Sequence, residues 1–276
     1  MKIVLMSMPD VAPVIMHEAA FHMPNCGIAS VGANIGDEHQ VYIIDLIRKR
    51  GALRSYLTRI LLKIRPDLVG LSAMAWQYDT CVLLIRLIKH LLPDAKIVIG
   101  GYHATLMHEE IAASAEADLI DFMIRGEGEE AFRHLVNALE NGGRFEDIPS
   151  LSYKNGRQFV HNPRGELLDL SGLKIPIRDK RRLTSGYHVM LSRVEVMETS
   201  RGCTRACSFC SMKHMYGQTF RPYPLERILA DIDDIYYKRR ARLIFVADDN
   251  MVLDPERVIR ICDAIIAGNY KGLKLI

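Results

Sequence analysis

The sequence has one Trp in 276 residues, no long apolar run and almost no charge imbalance, its 36 Lys and Arg standing against 33 Asp and Glu. So mild a net charge, with the two signs interspersed, excludes a chain built to neutralise nucleic-acid phosphates or an anionic membrane surface. No apolar stretch is long enough to span a bilayer. The opening "MKIVLMSMPD" has one Lys and a short apolar run stopped by Pro9, so it lacks the core and cleavage site of a secretory leader. A cytoplasmic location is the resulting expectation. Internal repeats and low-complexity tracts are also missing. What remains is a chain that is 49% hydrophobic and 25% charged, enough for one large or two medium domains.

The periodicity is that of an α/β protein. Short apolar strands are predicted at Lys2 to Met6, Val41 to Asp45, Leu68 to Ser72, Lys96 to Gly100 and Leu119 to Arg125. Amphipathic segments lie between them, "SYLTRILLKI", "DTCVLLIRLIKHL", "LMHEEIAASA" and "GEEAFRHLVNALENG". That alternation predicts a doubly wound, Rossmann-like parallel sheet over residues 1–141, with ligands beyond the carboxyl ends of its strands. Those ends carry "SMPDVAP", "GLSAMAWQ" with Ser72, "GGYHATL" with Gly100, Gly101 and His103, and "RGEGEE" with Gly126. Gly100 and Gly101 read equally as turn residues or as room for a bulky ligand. Residues 142–190 read as a linker with a β-hairpin at Asn155-Gly156 and an extended piece held by Pro176. A second series occupies 191–276: a strand at Val194 to Glu198, a helix at Leu225 to Lys238, a strand at Leu243 to Ala247, a helix at Pro255 to Ala267 and a strand starting at Leu273.

Cysteine is scarce, six in all, yet Cys203, Cys207 and Cys210 fall within eight residues of "VEVMETSRGCTRACSFCSMKHMYG". In a reducing compartment such a cluster reads as metal ligation or catalysis before disulfide bonding. Three thiolates suit an iron-sulfur cluster with one iron left open for a ligand. A Cys3His zinc site completed by His214 is the competing reading. The loop follows an apolar strand within a strand and helix series, where barrel enzymes place catalysis. Cys26, Cys81 and Cys262, isolated among apolar neighbours, read as buried structural thiols.

"CTRACSFC" resembles the C-x3-C-x-aromatic-C signature of the radical S-adenosylmethionine superfamily, with Phe209 in the aromatic position. The resemblance implies a 4Fe-4S cluster on Cys203, Cys207 and Cys210, whose open iron chelates S-adenosylmethionine and cleaves it reductively to a 5'-deoxyadenosyl radical. It also implies polar contacts to the methionine moiety from "FVADDN", at Asp248 and Asp249, although a helix-capping role for one of them is the plain alternative. In "YGQTFRPYPLERIL" it implies that Arg221 positions the loop. Residues 1 to about 140 resemble the vitamin B12-binding domain fused to many such enzymes. There Ser72, Gly100 and Gly101 match positions lining the channel for the cobalamin nucleotide tail, "RGEGE" with Gly126 is typical of the branch, and His103 is a further candidate contact. The Asp-x-His-x-x-Gly motif of classical cobalamin domains is not matched: Asp37 and His39 are followed by Tyr42 where glycine belongs.

The resemblance therefore implies a cobalamin-associated radical enzyme, a methyltransferase first, acting on a small molecule with an electron donor such as flavodoxin or ferredoxin. No single catalytic residue is assigned. A radical enzyme not using cobalamin and a non-catalytic, zinc-stabilised cobalamin-binding or sensory module are the alternatives. Because barrels of this family use about six strand and helix units, residues 191–276 read as an incomplete core, and the 276 residues as an inactive fragment of a longer protein.

Overall fold

The computed structural model describes residues 1–10, 21–49 and 52–276. Its strands are β1 (Lys2–Ser7), β2 (Phe21–His22), β3 (Gln40–Asp45), β4 (Leu68–Ser72), β5 (Lys96–Gly100), β6 (Phe122–Ile124), β7 (Leu151–Asn155), β8 (Gln158–His161), β9 (His188–Val189), β10 (Ser192–Met197), β11 (Ser200–Arg201), β12 (Arg221–Pro222), β13 (Leu243–Val246) and β14 (Lys274–Leu275). Its helices are α1 (Cys26–Ala33), α2 (Leu53–Ile64), α3 (Tyr78–Leu91), α4 (Gly101–Leu106), α5 (His108–Ala113), α6 (Glu129–Asn141), α7 (Met212–Tyr216), α8 (Leu225–Asp233) and α9 (Pro255–Ala267). The described residues fall into two compact units, one of 1–10, 27–49, 52–168 and 177–184, the other of 21–26, 169–176 and 185–276. No helix among them is long and apolar enough to cross a membrane.

In the first unit the strand order is β3-β1-β4-β5-β6-β7-β8, parallel through β6. The chain moves outward in both directions from β1, so helices must cover both faces. Alternation along β1 divides the core: Val4 and Met6 pack with Leu57 and Leu61 of α2 and Ile85 and Ile88 of α3. On the other face Ile3 and Leu5 pack with Phe132, Leu135 and Val136 of α6. The hairpin at Asn155-Gly156 adds β7 and β8 antiparallel to β6, so the stretch 142–190 is shared between the units.

Three expectations shift. The strand read from Leu119 is only Phe122–Ile124, because Ala117–Leu119 form a 3-10 turn. The helix read in "LMHEEIAASA" breaks at Met107, whose φ of −122° and ψ of 27° separate α4 from α5. The helix read through Lys238 ends at Asp233 and continues as a π-helical turn, Asp234–Lys238.

The second unit holds a five-stranded sheet ordered β14-β13-β10-β9-β2, in which β10, β13 and β14 are parallel. Val194, Val196, Met197 and Ile244 are buried in it, and Ile228 and Ile232 of α8 and Ile261 of α9 are buried as well.

Asp121, at the amino edge of β6, illustrates how the first sheet is tied. Its carboxylate accepts the Ile97 N–H at 2.9 Å and pairs with Lys89 at 3.0 Å and Lys96 at 3.2 Å. Burial alone would raise its pKa, but these partners outweigh burial and hold it below the usual 3.8. A depressed folded pKa gives stability that is present above the unfolded value and lost as pH falls through the folded one. Asp121→Asn is therefore expected to cost about 1–3 kcal/mol at pH 7, with the deficit shrinking as pH drops below about 4. Urea titrations of both proteins across pH 3 to 7 check this; a deficit that stays constant would contradict it.

Candidate functional site

The parallel register sets one row of residues across the carboxyl edge of the first sheet. Ser7 lies opposite Asp45 on one side and Ser72 on the other, and Ser72 lies opposite Gly100. Ser7 Oγ donates to the buried Asp45 carboxylate at 2.7 Å, so Asp45 holds the row together at its β3 end. Between β1 and β4 the chain reverses its direction of winding, which is the place such sheets offer a ligand. In the expected "SMPDVAP" segment, residues from Val11 on lie outside the described residues.

Gly100 and Gly101 turn out to differ. Gly101 has a φ of +86°, and a Cβ there would sit 2.9 Å from Ser72 Oγ and 3.0 Å from Ala73 O, so the turn itself demands glycine. A Cβ on Gly100 would meet only Ile124 O at 3.8 Å, an ordinary contact. The fold leaves the smallness of Gly100 unexplained. Thr105 joins this turn to Gly126: its hydroxyl donates to Gly101 O at 2.8 Å and accepts the Gly126 N–H at 2.9 Å. The acidic residues of "RGEGE" have partners of their own, Glu129 accepting from Ser30 Oγ at 2.7 Å and Glu127 from the Leu168 N–H at 3.0 Å. His103 stacks on Tyr78 with ring centroids 4.1 Å apart, and burial pushes its pKa down, against Glu110 and Asp79. Its Nδ1 is buried and meets no hydrogen-bond partner among the described residues. His39 is buried at the opposite, amino edge, beside the N-terminal amine.

In the second unit β11 and β12 pair antiparallel and close the base of a loop, residues 202–220, that leaves the carboxyl end of β10. This loop carries Cys203, Cys207 and Cys210. Gly202 opens it with a φ of +84°, against Thr219 at the far end. The Cys210 N–H donates to Cys207 O at 3.1 Å, which coils the middle of the loop. Cys203 Sγ receives the Arg205 N–H at 3.4 Å and Asn250 Nδ2 at 3.7 Å. Cys207 is exposed, Cys203 and Cys210 half-buried, and the Phe209 ring stands 91% exposed. The three thiols share a loop without converging, for among the described residues no three His, Cys, Asp or Glu side chains stand at metal-holding distance. The donor set nonetheless suits iron and sulfide: three soft ligands in reach of the surface, with N–H donors already directed at one sulfur. Arg221 lies with its guanidinium 5.6 Å from the Tyr216 ring inside the loop.

The segment after β13 grips this loop. Asp248, its side chain fully buried, accepts the Thr199 N–H at 2.6 Å, the Thr199 hydroxyl at 2.5 Å and the Ser200 hydroxyl at 2.6 Å. Any contact from Asp248 to a ligand would compete with these three donors. Asp249 accepts the Gly202 N–H at 2.7 Å and is the more exposed of the pair. Burial pushes its pKa up, the Gly202 N–H opposes this, and repulsion from Glu198 and Asp248 adds to it. Sequence reasoning missed Thr199, Ser200 and Asn250, which stand unremarked inside the quoted stretches, and Arg257, which carries no motif. Of the other thiols Cys26 and Cys81 are buried, and burial pushes Cys81 up to about 12. Cys262 departs from the expectation: it is exposed, since the inward face of α9 falls on its neighbour Ile261.

The two units thus define a doubly wound sheet with an open carboxyl edge and a parallel-strand unit bearing a three-cysteine loop. Residues 12–136 match the B12 binding domain family. Over 262 residues the chain is 30% identical to an uncharacterised methyltransferase of Pyrococcus horikoshii, covering 95% of this chain and 56% of that protein. It is 28% identical over 204 residues to the hopanoid C-3 methylase of Methylococcus capsulatus, covering 73% and 38%. Among solved structures, the radical S-adenosylmethionine methyltransferase TsrM of Kitasatospora setae superposes with a TM-score of 0.75 at 19% identity, over 99% of this chain and 54% of that one. The cobalamin-dependent S-adenosylmethionine radical enzyme OxsB gives 0.78 at 20%, over 99% and 38%. The chain thus resembles the B12-binding-domain-containing radical S-adenosylmethionine proteins, through the family match of residues 12–136 and through its fold. It spans about half the length, or less, of these relatives.

The unequal glycines give a direct check. Gly101→Ala is expected to lower stability by roughly 2–4 kcal/mol, from backbone strain plus the clash with Ala73, and Gly100→Ala by less than about 1 kcal/mol. Chemical denaturation of the two variants decides; equal losses would contradict the distinction.

Proposed function

We propose that this chain carries the cofactor sites of a cobalamin-associated radical S-adenosylmethionine enzyme, which transfers a methyl group to an unactivated carbon of a small molecule or rearranges it. The observation that carries this reading is the three-thiol loop at the carboxyl end of β10, anchored at its base and with N–H donors on Cys203. When bound, the cluster supplies the electron that cleaves S-adenosylmethionine to a 5'-deoxyadenosyl radical, and cobalamin supplies the methyl group or assists the radical step.

In this reading Cys203, Cys207 and Cys210 hold the 4Fe-4S cluster. The exposed Phe209 ring offers an apolar surface to S-adenosylmethionine, and Asp249 is the better placed of the acidic pair to receive its amino group. Asp248 serves as the anchor of the loop. Ser72, Gly100, Gly101, His103 and Gly126, at the carboxyl edge of the first sheet, would hold cobalamin. Gly100 supports this most, because the fold does not need its small size. Residues 1–141 then form the cobalamin-binding domain, 142–190 the linker and 191–276 the N-terminal part of the radical core, working in the cytoplasm with an electron donor such as flavodoxin or ferredoxin.

Serine is a hard, poorly matched ligand for iron-sulfide. Cys203→Ser, Cys207→Ser and Cys210→Ser are each expected to lose most of the iron and sulfide that anaerobic reconstitution gives the parent, while Cys262→Ser and Cys81→Ala keep it. Iron and sulfide analysis reads the outcome; equal loss in both sets, or stoichiometric zinc in place of iron, would overturn the reading.

His39 lies at the wrong edge of the sheet and His103 is engaged in a stack, so no histidine is expected on the cobalt. Electron paramagnetic resonance of the chain with cob(II)alamin should lack nitrogen splitting from a protein imidazole. A splitting that vanishes in His103→Ala would show the opposite.

A further inference from the structure

Arg257 is a cation buried to 5% exposure in the third position of α9, where its own N–H already takes the Asp254 cap at 3.0 Å. A guanidinium is not buried there for the helix's sake, since burial costs it hydration that only well-placed acceptors restore. Its acceptors all belong to two places. One branch donates to Thr199 O at 3.1 Å and to the Thr199 hydroxyl at 3.0 Å, and the other reaches Ser200 Oγ at 3.5 Å, Asp248 at 3.4 Å and Met251 O at 3.3 Å. Its carbon also lies 5.5 Å from the Phe220 ring centre, within reach of a cation–π contact. Thr199 and Ser200 precede the cysteine loop and Phe220 ends it, so one side chain holds both ends of residues 202–220. From that base the next contacts follow in order, Asp249 to the Gly202 N–H and Asn250 to the Cys203 sulfur.

We propose that Arg257 is a positioning residue for the cysteine loop. By clamping Thr199, Ser200 and Phe220 it sets where Gly202 leaves the sheet, and so holds the Cys203 sulfur against Asn250. Lysine cannot replace it, because a single ammonium cannot serve acceptors in two directions as the planar fork does. The role of Arg257 rests on the reading of Cys203 as a cluster ligand for its purpose, but it is visible without any cluster, in the chemistry of the thiol itself.

The test uses the full, metal-free chain, labelled with iodoacetamide and mapped by peptide mass spectrometry, with the exposed Cys207 as internal reference. In Arg257→Met the labelling rate of Cys203 relative to Cys207 is expected to rise about tenfold, because the half-buried Cys203, released from its anchored place, opens to the reagent more often. Arg257→Lys should keep the ratio clearly above the parent's while retaining the parent's melting behaviour. Arg260→Met, an exposed arginine on the same helix, should leave the ratio unchanged. An unchanged ratio in a folded Arg257→Met, full restoration by Arg257→Lys, or an equal rise in Arg260→Met would each overturn the proposal. If Arg257→Met does not fold, Arg257→Lys alone decides. A chain that binds no iron yet shows these ratios would separate the fate of this role from that of the cluster reading.

Discussion

A carboxylate taken wholly out of water must be met by donors, and Asp248 is met by the Thr199 N–H, two hydroxyls and the Arg257 guanidinium. That requirement shapes the second unit beyond its sheet. It ties the end of β10 to the end of β13, so the chain can leave the sheet only at Gly202 and must return where β12 pairs with β11. Asp248, Asp249 and Asn250 face Thr199 with Ser200, Gly202 and Cys203 in the same order along the chain. The two segments run side by side like the parallel strands they extend. A loop rich in thiols, without helix or strand from Gly202 to Ser211, thereby acquires a rigid base.

The first unit places its candidate ligand edge by the same logic. Parallel pairing brings the ends of β3, β1, β4 and β5 into one row, and Asp45, Ser7, Ser72 and Gly100 share that row because of register alone. The Thr105 hydroxyl then links Gly101 to Gly126, so two turns that the chain separates by 25 positions are held by one side chain. Both units carry their candidate site residues at strand ends and on the turns that follow, and stiffen those turns with hydroxyls and carboxylates.

How much of this was legible in the sequence depends on how local the signal is. β4, β5 and α9 have the ends that periodicity, Asp254-Pro255 and Gly100 suggest. The parallel, doubly wound character of the first sheet follows from the alternation of strands with helices, while the order of its strands comes from the structure. The cysteine spacing pointed to the loop at once. By contrast α1, "CGIASVGA", hides because its two glycines and uniformly apolar surface carry no helical stripe, and α4 hides because Gly100-Gly101 reads as a plain turn. The acidic pair was legible as a pair but not as two different groups. Only closure of the sheet shows that Asp248 turns inward and Asp249 outward, and that Arg257, a residue without any motif, completes the lock.

The central claim is that three thiolates on one anchored loop hold a cluster with one iron left open. Mössbauer spectroscopy of the 57Fe-reconstituted full chain, with and without S-adenosylmethionine, tests it most directly. The account predicts a 4Fe-4S spectrum in which a single iron site changes on addition of S-adenosylmethionine while the others keep their parameters. A spectrum that does not respond, or a chain that takes up only mononuclear metal, would contradict it.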